Sequence, residues 1–341
     1  MLYKSILKPY LFKKDAEEAH ELAINTGAYV AESDLFRDLT SLIYGYNHPG
    51  LKKEFWGLEF PNPVGLAAGF DKNGVLVPAM EALGFGFVEV GSITAEPSKG
   101  NPKPRAFRLP EDESLINRMG LNNEGAEAIV NRLKHVTPSI PLGINIAKTH
   151  SPSINGEKAL EDYLYSYNLA LDVADYITVN ISCPNTKEGK TFEDPTSLKE
   201  LLQTLNPQAN NIPTLIKFSV DTTYEQLSSL ITICEEHGID GYVATNTSSQ
   251  RDDLSSSQEH LESIGNGGLS GKAIEKKSTQ VIKWLRSDIT ADKPIIGVGG
   301  IHDVASAKSK LDAGADLLQI YTGMVYEGPG LIKKIKKGLL H

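Results

Sequence analysis

Residues 176–186 read YITVNISCPNT, an apolar run that ends in a polar cluster with Cys183 between Asn180 and Asn185. A thiol ionises near pH ~8.5, so a cysteine placed there can serve as a base or a nucleophile. The two amides can each offer donors and acceptors to a bound ligand. An isolated cysteine is also, as a rule, a small buried hydrophobe, and that reading stays open on this stretch alone. Other apolar runs close on polar side chains too: Ser92, Asn145, Lys217, Asn246 and Thr322. Singly, such residues cap helices or form turns. Six of them converging on one rim would make a catalytic site.

The elements that bring them together are visible as an alternation. From residue 63 onward short apolar runs alternate with longer helical patterns: PVGLAAG (63–69), FVEVGS (87–92), PLGINIA (141–147), YITVNIS (176–182), PTLIKFS (213–219), GYVATN (241–246), PIIGVGG (294–300) and LLQIYT (317–322). Most are nearly continuous in apolar residues, as parallel strands buried on both faces must be. Stretches such as 222–238, closing on Gly238, read as the intervening helices. Eight β-then-α units predict a closed (β/α)8 TIM barrel, whose active site lies at the C-terminal ends of its strands. A doubly wound open sheet is the alternative. Glycine-rich GGLSG (267–271) after strand six, GVGG (297–300) at strand seven and YTG (321–323) after strand eight point together to a phosphorylated cofactor. No G-x-G-x-x-G opens after a first strand, so no dinucleotide site is indicated.

Composition narrows the class. The chain has 341 residues, 40% hydrophobic and 23% charged, with a net charge of -9. That is a soluble globular protein, and its acidity argues against a nucleic-acid partner. Two cysteines cannot build a disulfide framework or a four-cysteine cluster, which makes a reducing, intracellular setting the default, and no metal is expected. Charge is unevenly spread: residues 1–14 carry four lysines and no acid, residues 331–341 carry four more, and the body between is left at -17. No run reaches the ~18 apolar residues of a membrane span.

The motifs GLAAGFDKNG (65–74), KPRAFRLPEDESLINRMGLNNEG (103–125), LGINIAK (142–148), VNISCPNT (179–186), ATNT (244–247), GGLSG, IIGVGGI and QIYTG (319–323) resemble dihydroorotate dehydrogenase, in collinear order over nearly the whole chain. The resemblance implies an FMN-containing barrel that oxidises dihydroorotate to orotate. A base takes a proton from substrate C5 while a hydride leaves C6 for the flavin. By that likeness the base is Cys183. Lys72, Asn117, Asn180, Asn185, Asn246 and Thr247 hold the pyrimidine and its carboxylate, and the stretch Asn117, Arg118, Met119, Gly120, Leu121 closes over it. The positions matching FMN contacts are Ala68, Gly69, Lys72, Ser92, Asn145, Asn180, Lys217 and Thr245. Gly271, Gly300, Tyr321 and Thr322 surround the phosphate end.

About 60 residues precede the first strand, as in the membrane-associated, quinone-linked class of this family. Asp15, with Glu18 three residues on, has capping-box spacing. Ala19, Leu22, Ala23, Thr26 and Val30 then fall on one helical face, and upstream Leu2, Tyr3, Ile6, Leu7, Tyr10 and Leu11 repeat opposite Lys4 and Lys8. Residues 1–50 therefore read as a helical extension facing quinone and lipid, and 51–341 as the FMN barrel. His20, Arg105 and Tyr321 match positions that line the family's quinone tunnel. Cys183 and Leu121 are instead more like the soluble class, which leaves fumarate or NAD as alternative acceptors, and an FMN barrel reductase with another substrate is the other alternative. The expected setting is peripheral, on the cytoplasmic face of the cell membrane, without an obligatory protein partner.

Overall fold

The computed structural model describes residues 3–182, 192–289 and 293–341, so Cys183 and Asn185 lie outside the described residues. A hairpin of β1 (Lys53–Phe55) and β2 (Leu58–Phe60) precedes the barrel. Strands β3 (Val64–Leu66) and β4 (Phe87–Ile93) begin it. The chain then leaves for β5 (Ala106–Leu109) and β6 (Ser114–Asn117) and returns through β7 (Leu142–Ile146), β8 (Tyr176–Asn180), β9 (Thr214–Phe218) and β10 (Gly241–Ala244). After β11 (Gly268–Gly271), β12 (Ile295–Val298) and β13 (Leu317–Ile320) close the circle. All eight apolar runs of the sequence are barrel strands, and the closed parallel sheet rules out the open alternative. Helices follow them, among them Glu157–Ala170 and Tyr224–Glu236, the second opened by a Thr223–Gln226 capping box.

One end of the barrel is plugged. Phe60 from the hairpin packs with Phe87 and Tyr176, the first residues of β4 and β8, and Trp56 binds the Asp240 carbonyl at 3.0 Å. Only the C-terminal strand ends are left open for chemistry. GGLSG, expected as a phosphate loop, is mostly β11, paired antiparallel with β6 in a three-stranded sheet completed by β5. Its glycines serve close approach: a Cβ on Gly268 would lie 2.1 Å from Thr247 Oγ1.

The extension is helical. A turn over Tyr3–Leu7 runs into α1 (Lys8–Leu11), followed by α2 (Ala16–Glu32) and α3 (Asp34–Tyr44). Asp15 caps α2 by accepting from the Glu17 and Glu18 amides, a bond worth about 1 kcal/mol. The basic termini are largely engaged. Lys4 pairs with Glu327 at 2.5 Å, and Lys8 lies over the rings of Phe12 and Tyr326. In the C-terminal helix Gly330–Gly338, Lys333 donates to the Ile43 carbonyl near the end of α3, and buried Lys336 to that of Gly84, just after the helix Val77–Ala82.

Candidate functional site

A cavity of about 680 Å³ opens over the C-terminal ends of the strands and continues between the helices of the extension. Its polar floor comes from the strand ends. Asn180 and Lys217 sit opposite one another in the β8–β9 register, and Ser92, Thr245, Asn246 and Thr247 complete the rim. The amides are already oriented. Asn246 Nδ2 donates to Asn180 Oδ1 (3.2 Å) and to the Ser182 carbonyl (2.7 Å), and Asn180 Nδ2 donates to Ser92 Oγ (3.3 Å). Such a network fixes donors and acceptors before a ligand arrives.

Three groups on this wall have no hydrogen-bond partner among the described residues. Gln319 Oε1 and Thr245 Oγ1 are buried without a hydrogen bond, and the Lys217 ammonium makes none among the described residues. Burial pushes the Lys217 pKa down, and the carboxylate of Glu89 partly offsets it. Unpaired buried acceptors and a buried cation fit a polar, electron-rich ligand with amide edges. Near Thr322 the wall is rich in glycine, Gly271, Gly299, Gly300 and Gly323, beside the paired Ser270 and Thr322 hydroxyls (2.9 Å). Gly271 and Gly300 have positive φ, and a Cβ on Gly300 would come within 2.4 Å of Glu275. That leaves a cradle for a compact anionic group such as a phosphate.

Lys72 also lines the cavity, beside Ala68 and Gly69. Its pKa falls to about 8 through burial and the nearby Arg105 charge, opposed by Glu17 and Asp71. Over it lie Asn117, Met119, Gly120 and Leu121, with Leu121 in the left-handed region at φ 52. A branched side chain held there stores strain, as at many ligand-covering turns.

Farther out the lining turns apolar. His20 stacks on Tyr321 (centroids 6.3 Å) and meets Phe70 edge-on (5.0 Å). Burial, and next the charge of Lys72, take its pKa down to about 3, so the imidazole is neutral at working pH. Ala19, Leu22, Ala23, Thr26 and Val30, which their spacing put on one helical face, line the passage together with Tyr3, Leu7, Tyr10 and Leu11.

Three expected contacts are not on the wall. Asn145 lies beneath the floor, giving its amide to Glu89 (2.8 Å) and accepting from Ser92. Arg118 turns outward onto the carbonyls of Ile264, Asn266 and Pro104 and stacks on Phe107. Arg105 is buried against Glu17 with Nη2–Oε1 at 2.7 Å, and Arg108 takes the place on the cavity wall. Removing either partner of such a buried pair typically costs about 3–5 kcal/mol.

Glu17, Arg108 and Glu89 are the residues that sequence reasoning missed. Glu89 sits at the barrel axis and accepts from Asn145, Thr178, Tyr176 and Gln319. A lone acid inside the apolar run FVEVGS was the available signal.

A family model described as dihydroorotate dehydrogenase matches residues 50–341. "Dihydroorotate dehydrogenase (quinone)" from Christiangramia forsetii is 45% identical, covering 99% of each chain. The protein of the same name from Natronomonas pharaonis is 43% identical over 98% of this chain and 93% of its own. Among solved structures, DHODH from Eimeria tenella in complex with ferulenol superposes with a TM-score of 0.83 at 32% identity, covering 96% of this chain and 91% of that one. Its ligand-free form gives 0.81 at 31% identity, covering 94% of each chain. With identities of this size over nearly full length, and the same closed barrel beneath them, the chain belongs to the dihydroorotate dehydrogenase family.

Proposed function

We propose that this chain oxidises dihydroorotate to orotate in pyrimidine biosynthesis, with FMN bound over the strand ends and quinone as the final electron acceptor. The observation that carries this reading is the single cavity, polar over the strand ends and apolar between α2 and Tyr321. Two reactants of opposite character can then meet one cofactor from two sides. FMN, the cofactor of this family, supplies a two-electron acceptor when bound. The partnerless Gln319 and Thr245 oxygens, Lys217 and the Gly271–Gly300 cradle fit its ring and phosphate.

The chain's own groups do the rest. Lys72 offers a cation to the substrate carboxylate, and Asn117, Asn180, Asn246 and Thr247 offer amide and hydroxyl partners to the pyrimidine edge. Asn185 joins them by sequence. Cys183 takes the C5 proton as its thiolate. The cover formed by Met119 to Leu121 keeps water from the reacting carbons. Lys217 holds buried positive charge beneath an electron-rich ligand. Neutral His20 and Tyr321 offer polar edges to a quinone in an otherwise apolar passage.

The extension, residues 1–50, faces the membrane in this reading, and the protein sits peripherally on its cytoplasmic face. Among the described residues no helix is long and apolar enough to cross a membrane. Yet, among the described residues, ten of the twelve exposed large hydrophobics fall between Ile6 and Ile43. Apolar exposure concentrated on one helical hairpin suits an interfacial seat.

The test is one side-by-side assay. Purified protein should release one FMN per chain on denaturation and turn over dihydroorotate with a quinone analogue, but not with fumarate or NAD. Turnover with fumarate or NAD at the quinone's rate would refute the acceptor, and recovery of FAD would refute the cofactor.

A further inference from the structure

The cover over the pyrimidine site does not hold itself. The Arg118, Met119 and Gly120 carbonyls are taken by the neighbouring segment 98–101: Asn101 Nδ2 donates to Arg118 O (2.8 Å), Asn101 N to Met119 O (3.0 Å) and Ser98 Oγ to Gly120 O (3.3 Å). That segment is held in turn by the Ser98–Asn123 backbone bridge (2.9 and 3.0 Å), by His150 Nε2 on Asn101 Oδ1 (3.1 Å) and, with the most bonds, by Arg105. Arg105 Nη1 donates to the Lys99 (2.6 Å) and Asn101 (2.9 Å) carbonyls and reaches Met119 O at 3.5 Å, while the Arg105 carbonyl accepts from Arg118 N at 2.8 Å. There is no slack: a Cβ on Gly100 would meet Met119 O at 2.1 Å and Arg105 Nη1 at 2.7 Å.

The other face of the guanidinium is fixed from outside the barrel. Nε lies 3.1 Å from both Glu17 carboxylate oxygens and Nη2 lies 2.7 Å from Oε1, so the fork is filled on that side by one residue of α2. Glu17 and Arg105 are 4% and 7% exposed, and Glu17 also lines the cavity. A planar guanidinium that spends its Nε–Nη2 edge on a carboxylate has the direction of its remaining donors fixed. Here that direction is the carbonyls behind the cover.

We propose that Glu17 is a positioning residue for the dihydroorotate site, acting through Arg105 to set the shape of the cover 117–121 from the helix that lines the quinone passage. The proposal rests on the reading that this cover closes over the substrate. It makes the extension part of the pyrimidine site as well as of the acceptor site. Without the Glu17 charge, the guanidinium is free to turn, and the 98–101 segment loses the donor that ties its carbonyls.

The test uses the full-length holoprotein carrying Glu17→Gln, which keeps the shape and removes the charge. The orotate Kd, read from the flavin's visible spectrum, and the KM for dihydroorotate should both rise about tenfold. Flavin reduction at saturating dihydroorotate should change less than about threefold, since nothing that touches the reacting atoms has moved. Amide exchange at Asn101 and Arg118 should quicken by about tenfold, a readout that needs no turnover. Glu17→Asp should recover part of the affinity, and Glu21→Gln, on the same helix and exposed, should bind orotate as the parent does.

Parent-like affinity in Glu17→Gln beside weakened binding in Asn117→Ala overturns the brace and leaves the substrate assignment standing. Parent-like affinity in both overturns the assignment of the cover, and the brace with it. If exchange quickens across the whole barrel and rate and affinity fall together, Glu17 only stabilises the fold, which also overturns the proposal.

Discussion

Lys72 gives the site a pH dependence whose sign and size follow from its surroundings. Burial and the Arg105 charge bring its pKa down to about 8, well below the ordinary lysine range. A substrate carboxylate binds the charged form and, once bound, raises that pKa again. Binding therefore takes up a proton above pH ~8, and affinity must fall as pH rises through that value. With a pKa of about 8 the charged fraction drops from roughly nine-tenths at pH 7 to one-tenth at pH 9, so orotate should bind about tenfold more weakly at pH 9. Lys72→Met should flatten this dependence and cost about 10- to 150-fold at pH 7, the range for a lost charge-assisted hydrogen bond. Cys183 is the other group expected to titrate in this window, so the profile should survive in Cys183→Ser. The assay is an orotate titration followed by the visible flavin spectrum or by calorimetry, from pH 6.5 to 9. A flat profile in the parent refutes the reasoning, because Lys72 would then be fully charged throughout or remote from the carboxylate. A decline that persists in Lys72→Met assigns it to another group.

Two further outcomes follow from the same site. Cys183→Ala should slow flavin reduction by about 10²–10⁴-fold with orotate still binding, and Cys183→Ser should retain part of the rate with its pH profile moved upward; stopped-flow bleaching between pH 6 and 9 reads both, and a near-parental rate in the alanine variant would leave Cys183 a packed residue. Ala23→Phe puts a ring into the passage between α2 and Tyr321, so quinone turnover should fall at least about tenfold while dihydroorotate still bleaches the flavin in one turnover. Equal loss in both half-reactions would mean that the passage is not the quinone's route.

The barrel was legible because parallel strands buried on both faces leave long apolar runs, and their polar last residues mark the rim. Ser92, Asn180, Lys217, Asn246 and Thr322 all reach the cavity wall. Asn145 has the same signature and does not, because it serves Glu89 beneath the floor. Which way a polar strand-end residue points depends on what its neighbours need, and a single sequence does not say. The arginines show the same limit more sharply. Arg105 immediately precedes β5 and Arg108 is its third residue; side chains alternate along extended chain, so an odd separation puts them on opposite faces. Motif matching alone assigned the passage to Arg105. The structure turns Arg108 to the cavity and buries Arg105 against Glu17, a pairing across 88 positions that no local pattern announces.

The third helix of the extension shows a different limit of sequence reasoning. In α3, Leu35, Phe36, Leu39, Leu42 and Ile43 recur at helical spacing, and an amphipathic stripe on a globular protein is by default the face that packs on the core. Here that stripe has no protein behind it: Leu42 is 79% exposed and Leu35 64%. Periodicity reports that a helix has an apolar face, but what covers the face depends on how the helix is docked. In this chain α3 packs against α2 and the helix Val77–Ala82, and Lys333 donates to the Ile43 carbonyl at its end. Two of the four C-terminal lysines, Lys333 and Lys336, are meanwhile spent on protein carbonyls. It follows that attraction to a membrane should come from apolar area more than from counter-charge. Binding to vesicles should therefore depend on Leu42 and Leu35 more than on salt, the reverse of what the lysine count alone implies.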